Sequence, residues 1–310
     1  MQQLNYLKNR IVGELETQLN KLGVFYRVFS RVKSKDSFLR KIDKDKKKYS
    51  KNGKKIQDII GIRIVFYFMD DIKFFKDLFL SHHSFDNCSD SIDDLRNTSI
   101  PRGKPEEAIF QPTILNIVLR MNDEYKNLLN EALLELDDEY KELIDETYEI
   151  QLRSVLSEGW HEVEHDLRYK RLSDKYWHYC IEESRMLNGI YATLETSERA
   201  MGKLFDNIAY KNYQKKDWEA MCVNHIKIRL VNTQLPPELL KYISESRSFA
   251  KLLLRSKRSN LFNALLRMNS PLPLTLLNVV LLINRIEIRD ECVMAMENES
   301  LKIKFDSCLP

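Results

Sequence analysis

One stretch constrains the fold of this chain more than any other: Lys55-Ile56-Gln57-Asp58-Ile59-Ile60-Gly61-Ile62-Arg63-Ile64-Val65-Phe66-Tyr67-Phe68. From Ile59 onward it is dominated by β-branched and aromatic side chains, which are stiff at χ1 and pack well on a pleated surface. A short run of this kind behind a polar lead-in predicts a buried strand, not a helix. Tyr148-Glu149-Ile150-Gln151-Leu152-Arg153-Ser154 has the same character. Each strand carries an acid at its entrance, Asp58 in one and Glu149 in the other. As neighbours in one sheet, the strands would let both carboxylates share a divalent cation. Hard carboxylate oxygens bridged through magnesium to phosphates are the usual means of handling a nucleoside triphosphate.

The 310 residues suit one catalytic-sized domain with a smaller partner. A hydrophobic fraction of 43%, with 10% aromatic, supplies a sizeable core and excludes a disordered chain. Charged residues reach 31% while the net charge is only +3, so the sign of the charge has to be read locally. Cys88, Cys180, Cys222, Cys292 and Cys308 are scattered and lack CxxC spacing, which points to the reducing cytoplasm and away from structural zinc. Met1 to Leu19 is too polar for a signal peptide. Leu272 to Ile286 is too short to span a membrane and contains Asn278, Asn284 and Arg285, so it is expected as a buried helix.

Leu4, Leu7, Ile11, Leu15, Leu19 and Leu22 recur at helical spacing, and Gly23 is a suitable stop. Val24 to Lys33 has strand composition, and a helix is expected over Asp36 to Ile42. Between them lie Arg31, Lys33, Ser37 and Lys41, with Lys35 and Arg40 interspersed. A cationic strand end leading into a helix N-terminus suits a phosphate chain, against the alternative of a solvated basic face. Lys44 to Lys55 divides in the same way between a phosphate or nucleic-acid patch and a charged loop.

Asp70-Asp71 is expected to cap a short helix, Ser81 to Pro105 to be a long loop, and Ile109 to Met121 a strand. The acidic stretch Glu124 to Glu146 reads as one surface helix, and Val155 to Lys170 as a helix packed on the sheet. Helix is expected from Trp177 to Leu204. Beyond Asp217, helical segments are broken by Pro236-Pro237 and Pro271-Leu272-Pro273. The basic run Arg247 to Arg267 lies on leucine-backed helices and would meet RNA, an acidic partner or solvent.

Four blocks in order resemble the synthetase domain of the RelA/SpoT family: Ser30 to Lys41, Ile56 to Arg63, Glu149 to Ser154, and Trp160 to Lys170. The resemblance spans roughly residues 24 to 200. It implies an α/β (α+β) fold, a nucleotidyltransferase-like mixed β-sheet flanked by helices over residues 1–204, followed by an all-α region over 205–310. It also implies transfer of the β,γ-pyrophosphate of ATP onto a ribose 3′-hydroxyl. By that comparison Arg31, Lys33, Ser37 and Lys41 lie on the ATP side, Arg63 and Arg153 are cations that either face the phosphates or stand behind the groups that do, and Asp58 is a Mg2+ ligand. Glu149 either assists metal binding or activates the hydroxyl. Phe110, Asn116, Gln151, Arg153, His165 and Lys170 fall to the acceptor side or stand behind it.

The family's acceptor strand usually reads Gly-Tyr-x-x-x-His. Here it is Phe110-Gln111-Pro112-Thr113-Ile114-Leu115-Asn116-Ile117, with Asn116 in the histidine's place and Phe110 as a displaced stacking surface. The layout is similar to small alarmone synthetases or to toxin-like relatives that modify the tRNA 3′ end. The implied partners are therefore ATP and a purine nucleotide or tRNA acceptor, with RNA contact through the basic patches, no membrane, and homo-oligomers through helical regions. The alternative is a nucleotide-sensing or protein-interaction module that keeps the fold without turnover.

Overall fold

The computed structural model describes all residues except 1, 45, 47, 51–52, 80–87, 95–114, 135–137, 165–166, 168–178 and 310. Of residues 44, 78–79, 88–94, 115 and 138–139 it describes the backbone alone. Contacts divide the chain into two compact units, one of residues 1–16 with 26–198 and one of residues 17–25 with 199–310.

The chain opens with α1 (Gln2–Leu22), whose stripe from Leu4 to Leu22 is buried as the spacing predicts. Gly23 follows in the left-handed region at φ 67°, the usual way to end a helix. Next come β1 (Tyr26–Val32), α2 (Lys35–Lys44), β2 (Ile60–Phe66) and α3 (Met69–Phe74). β3 (Cys88–Asp94), β4 (Leu115–Arg120), α4 (Asp123–Leu133) and α5 (Asp138–Lys141) lead to β5 (Thr147–Ser154). α6 (Val155–Glu164) and the long α7 (Ile181–Lys215) follow.

The five strands form one mixed sheet in the order β1-β2-β5-β4-β3, in which β2 and β5 run parallel and the other neighbours antiparallel. β2, which Asp58 precedes by two residues, and β5, which carries Glu149, are thus direct neighbours. Ile62, Ile150 and Ile117 form one buried row across the sheet, joined on the same face by Ile64, Phe66, Tyr148, Leu152 and Leu119. Phe75, at the end of α3, meets Phe66 with ring centroids 5.8 Å apart. Each such side chain, fully buried, stabilises the fold by about 1.5–3 kcal/mol.

The second unit is helical. Beyond the C-terminal part of α7 it contains α8 (Trp218–Ile226), α9 (Pro237–Glu245), α10 (Arg247–Arg255) and α11 (Arg258–Arg267). α12 (Leu276–Ile283), α13 (Glu291–Met294) and α14 (Glu299–Asp306) complete it. Pro237 takes the first turn of α9, where its missing N–H is harmless. Side chains of Asp217, Ser246, Thr275, Asp290 and Asn298 accept backbone hydrogen bonds at the starts of α8, α10, α12, α13 and α14. α12, within the apolar stretch from Leu272 to Ile286, is buried along almost its whole length.

Several expectations are corrected. The polar stretch Ser81 to Pro105 contains β3, paired antiparallel with β4. Glu124 to Glu146 is two helices, and Tyr125, Leu129, Ala132 and Leu133 of the first are buried. Asp70 and Asp71 lie in the first turn of α3 and do not cap it; its N-cap is Phe68, which makes no side-chain capping bond. Among the described residues no helix is long and apolar enough to cross a membrane.

Candidate active site

The sheet has a second, polar face, because alternate residues of a strand point to opposite sides. Directly opposed residues share a side, so the register defines two polar rows. One contains Arg31, Gly61, Glu149 and Val118, and the next contains Phe29, Arg63, Gln151 and Asn116. Arg153 lies on the same face. The structure therefore brings together Arg31, Arg63, Asn116, Glu149, Gln151 and Arg153. Phe110, His165 and Lys170 lie outside the described residues.

Asp58 sits just ahead of β2. The Lys33 backbone N–H donates to the Ile59 carbonyl at 2.9 Å, extending the β1–β2 pairing to the residue beside Asp58. Lys33 Nζ then reaches Asp58 Oδ2 at 2.7 Å, and Lys41 Nζ, from α2, reaches Oδ1 at 2.9 Å. Burial alone would push the Asp58 carboxyl up. The hydrogen bonds and charges of the two lysines outweigh that and hold it below the usual aspartate range. Ser34 Oγ accepts from the Ser37 N–H at 3.3 Å and donates to Ser37 Oγ at 2.9 Å, which ties down the start of α2.

Arg31 is exposed and lies over Gly61: a Cβ added there would meet Arg31 Cγ and Nε at 3.8 Å. Glycine thus leaves room for the Arg31 side chain to lie across β2, in the row that leads to Glu149. Ahead of it, Gln57 donates to Asp145 at 3.1 Å, and the Thr147 hydroxyl donates to the Gln57 carbonyl at 3.2 Å. These contacts dock the segment bearing Asp58 against the entrance of β5.

Further along the polar face, Arg63 donates through Nη1 to Glu158 at 2.7 Å and to Glu162, and through Nε to Gln151 Oε1 at 3.3 Å. Burial would lower the Arg63 pKa, but the two glutamates outweigh it and raise it. Arg153 is 7% exposed and less well matched. It approaches Glu158 at 3.5 Å and Gln151 Oε1 at 3.4 Å. Burial first, then the charge of Arg63, bring it down to about 10. Gln151 Nε2 donates in turn to Glu149 Oε1 at 3.3 Å. Arg153 Nε and Asn116 Oδ1 are buried without a hydrogen-bond partner among the described residues.

The glutamates of α6 were missed by the sequence reading, and so was Phe29, 51% exposed in the same row as Arg63. α6 is itself anchored on α7. Trp160 Nε1 donates to the Leu187 carbonyl at 2.9 Å, the Trp160 and Tyr191 rings lie 4.9 Å apart, and Glu198 accepts from the Ser154 hydroxyl and the Ser157 N–H.

Among the described residues no three His, Cys, Asp or Glu side chains gather as a metal site. Asp58 and Glu149 are hard oxygen donors of the kind that magnesium takes together with substrate phosphates and water, and both Asp58 oxygens are met by lysines here. Three features then favour a phosphorylated ligand: hard oxygen donors, a cationic entrance built from two secondary elements, and the glycine over which the Arg31 side chain lies.

A family model described as the region found in RelA / SpoT proteins matches residues 30–174. No curated protein sequence matches the chain. Among solved structures, small alarmone synthetase 2 from Bacillus subtilis is 19% identical, covering 64% of this chain and 94% of that one at a TM-score of 0.42. A GTP pyrophosphokinase family protein from Streptococcus pneumoniae is 20% identical over 67% and 89%, at 0.43. Bacillus subtilis small alarmone synthetase 1 bound to its product pppGpp is 19% identical over 64% and 92%, at 0.41. The blocks that hold Arg31, Lys33, Lys41, Asp58, Arg63, Glu149 and Arg153 all fall inside the matched region, so over residues 30–174 the chain is similar to the region found in RelA / SpoT proteins.

Proposed function

We propose that the chain transfers pyrophosphate from ATP to the 3′-hydroxyl of a purine nucleotide, as in (p)ppGpp-type alarmone synthesis, or of a tRNA 3′ end. The observation that carries this reading is the Lys33–Asp58–Lys41 cluster just ahead of β2, the strand whose Gly61 is paired with Glu149, inside the matched region. Arg31, Lys33 and Lys41 would neutralise the triphosphate, with Ser37 at the start of α2 beside them. Asp58 and Glu149 would hold magnesium, whose charge would offset that of the β- and γ-phosphates.

In the transfer step the 3′-oxygen forms a bond to the β-phosphorus. The bond from that phosphorus to the oxygen bridging the α-phosphate breaks, and AMP leaves. Glu149 takes the proton of the hydroxyl. Such chemistry needs mostly positioning and charge stabilisation, which fixed strands and clamped cations provide.

In the cytoplasm the substrates would be ATP and a guanine nucleotide, with helical regions available for self-association. A tRNA acceptor would add contacts along Arg247, Lys251 and Arg255, which are exposed at successive turns of α10 in a stretch without acid from Ser246 to Ile286. Its affinity would then fall steeply with salt.

Incubating the protein with γ-labelled ATP, magnesium and GDP, GTP or tRNA tests the reading. Labelled product that disappears in Asp58→Asn supports it, and no Asp58-dependent transfer to any acceptor removes it. The departure of Phe110 to Asn116 from the family's Tyr and His motivates a second reading, a module that binds nucleotide without turnover. Tight binding of a non-hydrolysable ATP analogue with no product after long incubation would establish that reading instead.

A further inference from the structure

The polar face contains a continuous hydrogen-bonded chain that starts on α6 and ends on Glu149. Gln151 occupies its centre, and the polarity of its amide is settled by its neighbours. Its Oε1 receives Arg63 Nε at 3.3 Å and Arg153 Nη2 at 3.4 Å. A guanidinium is donor-only, so a flipped amide would set its NH2 against two donors. Unflipped, the NH2 faces Glu149 Oε1 at 3.3 Å, a carboxylate that only accepts. Arg63 cannot swing away easily, because its Nη1 is taken by Glu158 at 2.7 Å and by Glu162. Glu158 also draws Arg153.

We propose that Arg63 and Gln151 are positioning residues: Arg63, pinned by Glu158 and Glu162, holds the Gln151 amide in the orientation that presents its NH2 to Glu149 and so aims that carboxylate. This rests on the role for Glu149 given above. Of the two roles open to Arg63, it selects the supporting one, where the charge is already met by two carboxylates. Arg31, Lys33 and Lys41 remain the cations available at the entrance. Supporting groups of this kind, when removed, commonly lower metal affinity or activity by about 10- to 100-fold.

The test compares Arg63→Gln, Arg63→Lys and Gln151→Leu in the full chain, with folding checked by circular dichroism. Gln151→Leu leaves the Arg63–Glu158 pair in place, so it remains informative if Arg63→Gln fails to fold. Transfer kinetics should show kcat reduced about 10-fold or more, with KM and the affinity for a non-hydrolysable ATP analogue within about 2-fold of wild type. Arg63→Lys should not rescue kcat, because an ammonium lacks the fork that spans two glutamates and Gln151.

A phosphate ligand would behave oppositely. Analogue affinity would fall about 10-fold or more in Arg63→Gln and be restored in Arg63→Lys, and that result overturns the proposal. A readout free of activity is the pair of side-chain amide resonances of Gln151 in 15N spectra. They should move in both Arg63→Gln and Glu149→Gln. Resonances unmoved by either substitution would also overturn it. If the wild type transfers nothing to any acceptor while these resonances respond, the function above fails and the positioning chain stands.

Discussion

Asp58→Asn nearly preserves shape and removes one charge, so its effect can be worked from the local geometry. Two lysine ammonium groups lie at 2.7 and 2.9 Å from the carboxylate. The side chains of Asp58, Lys33 and Lys41 are 21%, 13% and 33% exposed, which places the cluster between surface and interior. A hydrogen bond to a charged group in such a setting contributes about 1.5–3 kcal/mol. Asparagine keeps one acceptor oxygen, so the expected loss is about 2 kcal/mol at pH 7. For a unit the size of residues 1–16 with 26–198, that lowers Tm by about 4–8 °C, from roughly 2–4 °C for each kcal/mol.

The pH dependence has a definite sign. The carboxyl is held below its unfolded value of about 3.9, so its contribution is full above that value and is lost as pH falls through the folded value. Calorimetry in steps from pH 7 to pH 2 should show a constant gap between wild type and Asp58→Asn at neutral pH, closing below about pH 4. High salt should narrow the gap, because the cluster is partly exposed. A gap that persists undiminished to the acid limit, or one that opens only on acidification, would refute the reasoning.

Gly61→Ala should fold and bind an ATP analogue almost as wild type, since its Cβ finds only Arg31 at ordinary contact distance. Gly61→Leu should displace Arg31 and weaken binding about 10-fold by calorimetry, by taking the space in which the Arg31 side chain lies. Phe29→Ala should weaken the analogue by about 1–3 kcal/mol if the half-exposed ring serves as a base platform, with Tm unchanged; equal affinity would exclude that use. Glu198 is pushed up by burial, so its ionisation opposes folding as pH rises above the unfolded value of about 4.3. Glu198→Gln keeps an acceptor for the Ser157 N–H and should stay within about 1 kcal/mol of wild type in urea at pH 7, while Glu198→Ala should lose about 1–2 kcal/mol.

The neighbouring acid-bearing strands were legible because their apolar positions are dense and β-branched. What the sequence reading did not resolve was their parity. Gly61, Arg63, Glu149 and Gln151 occupy every second position and are half-buried, so both strands are closed on both faces only towards their ends, as at Val65 and Arg153. β3 could not be found because Cys88-Ser89-Asp90-Ser91-Ile92-Asp93-Asp94 is composed largely of poor strand formers, and only its pairing with β4 reveals it. Glu158 and Glu162 did carry a signal, two acids four apart on a helix directly after a strand rich in cations. Acids at that spacing usually face solvent, so the arginines that receive them become evident only once α6 is folded back on β2 and β5.

Parity also ties stability to chemistry in this sheet. Ile150 is fully buried and stands between Glu149 and Gln151, and its row of Ile62 and Ile117 backs the row of Arg63 and Asn116. A slip of β5 by one residue would turn Glu149 and Gln151 into the apolar core and Ile150 and Leu152 out of it, so the apolar face enforces the register on which the polar face depends. Substitutions on the two faces should therefore separate cleanly. Ile150→Val should lower stability by about 0.5–1.5 kcal/mol and leave the Gln151 amide resonances in place, because the lost methyl group opens a small gap without moving the strand. Gln151→Glu should do the reverse. Its second carboxylate would sit between two arginines that accommodate it and beside Glu149, which it repels, so transfer would fall while Tm held.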